Sequence, residues 1–91
     1  MPRVRIPTVL RRHTGGESKV DAAGSTVREV FAQLVDGRPE LETQLFDGAE
    51  LRGFINVYVD DEDIRYLDGL DTSVSADDEI SIMPAVAGGS S

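Results

Sequence analysis

Apolar and polar residues alternate near both ends of this chain and recur at helical spacing between them. Val4-Arg5-Ile6-Pro7 begins an alternation that continues to Leu10 and predicts a first strand. His13-Thr14-Gly15-Gly16 is a turn signal, and Lys19-Val20-Asp21-Ala22 predicts a second strand, giving an N-terminal hairpin. The strongest helix signal follows. Thr26 and Glu29 have capping-box spacing, and Val27, Val30, Phe31, Leu34 and Val35 form one apolar stripe. Gly37 is a natural stop, and Pro39 to Phe46 predicts a further short helical turn ended by Asp47-Gly48. Phe54 to Val59 is rich in β-branched and aromatic residues and predicts a strand. Asp60-Asp61-Glu62-Asp63 reads as a solvated turn, with Ile64-Arg65-Tyr66 as a short strand beyond it. Leu67 to Leu70 and Ser75 to Asp78 are loop-like, and Glu79 to Met83 predicts the last strand. Pro84 lacks an amide proton, so that strand should end there.

The predicted order is β-β-α-β-β-β. A right-handed crossover would lay the main helix across one face of a mixed sheet, which is the ubiquitin-like β-grasp arrangement of the α+β class. Alternation assigns Ile55, Val57, Val59, Ile80 and Ile82 to the core face. Phe54, Tyr58 and Met83 then fall on the opposite face, near where the C-terminus leaves. Exposed there, together with Val86, they would form a partner-binding surface. Residues 1–84 are expected to form the domain and residues 85–91 a flexible tail.

Composition narrows the possibilities. With 91 residues the chain supports one domain with a modest core, and a deep catalytic cleft is hard to fit. The absence of cysteine removes disulfides, thiolate nucleophiles and cysteine-based zinc sites. The formal charge of −8 makes nucleic acid and anionic membranes poor partners and suits docking on a basic protein patch. The start of the chain has no apolar signal segment, and no apolar run approaches a membrane span, so a cytoplasmic location is expected.

Catalytic constellations are not evident. His13 is the only histidine and reads as a solvated loop residue, so no metal site and no bound cofactor is expected. The hydroxyls have no placed base. Asp60 to Asp63 lacks the spacing of a calcium loop, and Gly15-Gly16 is too short for a phosphate loop. The chemistry points instead to the C-terminus, where Pro84-Ala85-Val86-Ala87 leads to Gly88-Gly89. Two residues without Cβ can thread a narrow channel and present a carboxyl group to another protein's active site.

A last β-grasp strand running into Gly-Gly resembles the sulfur-carrier family typified by ThiS, MoaD and CysO, and more distantly ubiquitin. Three blocks are most similar to the CysO subgroup: Ile6 to Leu10 with His13-Thr14-Gly15-Gly16, Phe54 to Val59 with Asp60 to Arg65, and Pro84 to Gly89. The resemblance implies a protein carrier rather than an enzyme. An E1-like partner would use ATP to adenylate the Gly89 carboxylate, and a sulfide equivalent would convert it to a thiocarboxylate. A synthase would accept the sulfur, for cysteine in the CysO branch, a molybdopterin precursor in the MoaD branch or a thiazole in the ThiS branch. A zinc JAMM-type protease is a further implied partner. A ubiquitin-like modifier conjugated through Gly89 is the rival expectation. This chain departs from the pattern by continuing to Ser90-Ser91, which must be removed before Gly89 carries the free carboxylate.

Overall fold

The fold was analysed from a computed structural model, which describes residues 1–85. Its elements are β1 (Arg3–Arg5), β2 (Lys19–Asp21), α1 (Val27–Val35), α2 (Pro39–Leu45), β3 (Phe46–Asp47), β4 (Glu50–Leu51), β5 (Ile55–Val59), β6 (Glu62–Asp63) and β7 (Glu79–Pro84). Five strands form one sheet in the order β2-β1-β7-β5-β6, and β3 and β4 form a separate small hairpin. β1 and β7 lie parallel at the centre, with Val4 opposite Ile80, and every other pair is antiparallel. This is the mixed β-grasp sheet that the pattern predicts.

Alternation decides which face is buried. Ile55, Val57 and Val59 of β5 and Ile80 and Ile82 of β7 are all buried, with Val4 of β1 beside them. The apolar stripe of α1 closes over this face through Val27, Val30, Phe31 and Leu34, all essentially solvent-free. The Phe31 ring meets Phe46 edge to face, with centroids 6.1 Å apart, tying the small hairpin to the helix.

The start of α1 is fixed by side chains. Thr26 Oγ1 accepts from the Glu29 amide at 3.2 Å. Glu29 Oε1 reaches one residue beyond the usual capping-box partner, to the Ser25 amide at 2.9 Å and the Ser25 hydroxyl at 2.8 Å. These two bonds hold the Glu29 carboxyl below its ordinary range. Just upstream, Gly24 packs so closely that a Cβ would lie 2.6 Å from the Val30 amide nitrogen.

Four sequence expectations change. The first strand ends at Arg5, and Thr8–Thr14 form a 3-10 helix rather than continuing the strand to Leu10. Pro7 explains the break, because it has no amide proton for the ladder and its φ of −67° suits entry to a helical turn. Gly15 then closes that turn at φ +65°, as its position in the turn signal suggests. Ile64–Tyr66 is also a 3-10 turn, with Ile64 buried and Arg65 and Tyr66 outside. The Asp47-Gly48 stop is the bend of the β3–β4 hairpin. Finally, the Asp60–Asp63 segment is not wholly a solvated turn. Asp60 and Asp61 make a bend at positive φ, whereas Glu62–Asp63 form β6 and Asp63 is buried.

Candidate functional site

The expected reactive end, Gly88-Gly89 with Ser90-Ser91, lies outside the described residues, as does Val86. The structure does show how the chain approaches it. β7 pairs with β5 up to Pro84 opposite Ile55. The Ala85 amide then donates to the Phe54 carbonyl at 2.6 Å, one residue beyond both strands and past the expected boundary at Pro84. The last described residue is therefore held at the end of the central strand, beside Phe54.

Phe54, Tyr58 and Met83 are placed as strand parity requires. Met83 lies opposite Asn56, so its diagonal neighbours are Tyr58 on β5 and Phe54 in the turn just before it. Phe54 is 47 % and Met83 55 % exposed. Tyr58 is only half-exposed, a correction to the expectation of a free aromatic. It sits inside the sheet, paired with Ser81 on one side and Asp63 on the other.

Sequence reasoning missed a second feature. The 3-10 helix lifts Val9 into solvent, 66 % exposed, and sets it beside the end of β7. Between them runs an open groove of about 530 Å³, lined by Arg5, Pro7, Val9, Arg11, Lys19 and Met83 among others. Arg11 Nε donates to the Ile6 carbonyl at 3.0 Å, which fixes the root of this wall. The clustering of its cations, though not the groove itself, is visible in the chain. Five of the nine cationic residues fall within the first 19 positions, where the only acid is Glu17. Those positions carry +5 − 1 = +4, and the remaining residues carry +4 − 16 = −12.

The other end of the sheet is acidic and internally satisfied. Asp60 Oδ1 accepts from the Glu79 amide at 3.0 Å, and Asp78 Oδ2 accepts from the Ser75 amide at 2.7 Å. The hydrogen bond between the Asp60 and Asp78 carboxyls raises Asp60 above its ordinary range and lowers Asp78. Arg65 chelates Asp63 through its side chain at 2.7 Å and its backbone amide at 2.9 Å, which holds the Asp63 carboxyl low. Among the described residues no cluster of potential ligands could hold a metal ion.

His13 is not the solvated loop residue its sequence context suggests. Its side chain is 10 % exposed and its Nδ1 lies 3.7 Å from Glu40 Oε1 on α2. Arg12 Nε points to its Nε2 at 3.4 Å, leaving that nitrogen an acceptor. The 3-10 helix packs this ring against α2, where a loop would have left it in water. Among the described residues no helix is long and apolar enough to cross a membrane.

This geometry has known counterparts. The sulfur carrier protein CysO of Mycobacterium tuberculosis (strain ATCC 25618 / H37Rv) is 43 % identical over 89 residues, covering 94 % of this chain and 96 % of that protein. In the crystal structure of the Amycolatopsis orientalis BexX/CysO complex, a chain 45 % identical superposes with a TM-score of 0.91, covering 98 % of this chain and all of that one. The solution structure of small archaeal modifier protein 1 from Methanosarcina acetivorans is 32 % identical with a TM-score of 0.85, covering 97 % of this chain and 95 % of that one. The profile of the ThiS family matches residues 4–89, running from the first strand through the terminal glycine pair. The family match spans nearly the whole chain and the superposition is close over 98 % of it, and the chain belongs to the ThiS family of ubiquitin-like β-grasp proteins.

Proposed function

We propose that this protein is a sulfur carrier that works through the carboxylate of Gly89. The observation that carries this reading is the ThiS-family match extending to Gly89, together with similarity to sulfur carrier proteins over 94 % of the chain. Removal of Ser90-Ser91 exposes the Gly89 carboxylate. An oxygen of that carboxylate attacks the α-phosphate of ATP on an E1-like enzyme, and pyrophosphate leaves. The acyl adenylate is a good electrophile. A sulfide equivalent then attacks its carbonyl carbon, the bond to AMP breaks, and a thiocarboxylate remains. That sulfur is a soft nucleophile, ionised near neutral pH; on a synthase it displaces a leaving group from an activated acceptor, and hydrolysis of the resulting acyl bond frees the sulfur-bearing product and restores the Gly89 carboxylate. Cysteine formation is the favoured destination, because the relatives matched over the full chain bear the CysO name.

The carrier itself needs no cofactor in this scheme. Residues 1–84 are the part that partners recognise, and residues 85–91 are the part they process. Phe54, Tyr58, Met83 and Val86 supply the apolar contact to the adenylating enzyme. A JAMM-type protease is the candidate for trimming or releasing the tail.

Similarity to small archaeal modifier protein 1 supports a second reading, conjugation of Gly89 to lysines of other proteins. Intact-mass and peptide analysis of the protein from its own cells separates the two. A sulfur-for-oxygen exchange on a form ending at Gly89 is expected. Branched lysine peptides without that exchange would favour the modifier and overturn the carrier.

A further inference from the structure

The groove between the 3-10 helix and the end of β7 has a charge opposite to that of the molecule. Arg5, Arg11 and Lys19 line it, and no Asp or Glu does. The Arg5 and Lys19 side chains are 59 % and 49 % exposed. Glu79 approaches each only at 4.0 Å, beyond hydrogen-bonding reach, so both cations keep donors free for another partner. The floor between them is apolar. Val9, Met83 and Pro84 form it, with Val9 and Met83 more than half exposed.

We infer that this groove grips a carboxylate-bearing, apolar-tipped segment of the adenylating enzyme, and so aligns the tail for activation. The inference rests on the sulfur-carrier reading. A free phosphate would use the cations but not the apolar floor. A nucleic acid would meet the −12 carried by residues 20–91. A protein segment with Asp or Glu around a large apolar side chain satisfies both parts of the groove. Position adds function to the fit. Met83 and Pro84 line the groove, and Ala85 follows directly, so whatever holds the groove also sets the direction in which the tail departs. The separation of charge along the sheet supports this orientation. A partner with an acidic docking face attracts the basic end and repels the end bearing Asp60, Asp61, Asp77 and Asp78, which presents the carrier tail first.

The test uses steady-state pyrophosphate release by the E1-like enzyme of the same genome, with ATP, a sulfide source that consumes the acyl adenylate, and the carrier form ending at Gly89 as substrate. The double variant Arg5→Glu/Lys19→Glu is expected to raise KM by about tenfold or more and leave kcat within about twofold. For the unaltered carrier, KM should climb as salt rises from about 50 to about 300 mM, and the double variant should lose most of that dependence. Arg28→Glu/Arg52→Glu makes the same change in formal charge, −8 − 4 = −12, at sites outside the groove, and should leave KM nearly unchanged. Arg5→Lys/Lys19→Arg should retain normal KM. An unchanged KM in Arg5→Glu/Lys19→Glu, with its fold verified by hydrogen exchange, overturns the inference. An equal rise in the Arg28→Glu/Arg52→Glu control also overturns it, because net charge alone would then explain the effect. Persistent nuclear Overhauser contacts from residues 86–89 to Val9 or Lys19 in the form ending at Gly89 would show that the chain's own tail fills the groove, and would overturn it as well. If the unaltered carrier releases no pyrophosphate at all, the sulfur-carrier reading falls first and this inference with it.

Discussion

The two ends of the central sheet carry charge in different ways. At the end where β7 begins, acids crowd together, yet Asp60 and Asp78 each accept a hydrogen bond from a nearby backbone amide. At the end where β7 finishes, cations surround exposed apolar side chains and face an open groove. The first arrangement consumes its charges in building turns. The second leaves Arg5 and Lys19 about half exposed, with Glu79 no nearer than 4.0 Å to either. Net charge alone hides this distinction, because a chain of −8 appears acidic everywhere. The expectation that an acidic carrier docks on a basic patch rests on net charge, and the groove at the tail end carries the opposite sign.

The core that holds both ends in place should give the largest effect. Phe31 is fully buried and packs on Phe46. Phe31→Ala should lower stability by about 3–5 kcal/mol, read as a shift in urea midpoint. An unchanged midpoint would refute the placement of α1. Gly24→Ala tests the same helix from its entry. Its new Cβ would sit 2.6 Å from backbone, so a clear fall in melting temperature is expected, and full retention of stability would contradict the close packing.

Contact variants separate the ends more finely. Met83→Asp and Tyr58→Asp should weaken docking of the adenylating enzyme by raising KM, with the larger effect at the more exposed Met83. Asp77→Lys, at the acidic end, should not weaken it. A larger loss from Asp77→Lys than from Met83→Asp would invert the account of which end is the contact surface.

Acid titration gives the smallest effects. Glu29, Asp63 and Asp78 have folded-state pKa values below their ordinary ones. Their stabilisation is complete above the ordinary carboxylate range near pH 4 and is lost as pH falls through the lowered folded values. Asp60 runs the other way. Its pKa is raised, so it favours the folded state at low pH and opposes it once pH climbs past the raised value. Melting temperature should therefore drop between about pH 5 and pH 2, and Asp63→Asn should flatten that drop. Asp60→Asn should raise the melting temperature slightly at pH 7. A fall there would mean that the bond to the Glu79 amide outweighs the repulsion from Asp78.

Much of this fold is legible in the sequence because local chemistry and tertiary packing agree. Thr26, Glu29 and the Val27 to Leu34 stripe specify α1 by capping and by periodicity together. The alternation in β5 and β7 matches burial residue for residue. Short elements behave differently. Ile64-Arg65-Tyr66 is too brief to distinguish a strand from a 3-10 turn by period, and β3 and β4 are two residues each. Pro7 carried the sign of a strand end that the longer alternation from Val4 to Leu10 concealed. The groove was not legible, because it arises only when β1 pairs in parallel with β7 and brings Arg5 opposite Ser81. The terminal glycines stood out only in the company of a β-grasp strand leading into them.

Gly89 is proposed as the sulfur-bearing terminus, and a single reconstitution decides the matter. Full-length protein, a form ending at Gly89, and that form with Gly88→Val are each incubated with the adenylating enzyme, ATP and a sulfide source, then weighed intact. Ser90-Ser91 displace the carboxylate by up to about 7 Å in an extended chain, far outside the tolerance of attack on ATP. Valine at position 88 adds a branched side chain where a narrow channel should admit only hydrogen. The account predicts a sulfur-for-oxygen mass gain on the form ending at Gly89 alone. Equal thiolation of the full-length protein with both serines retained, or no thiolation of the form ending at Gly89, would contradict it.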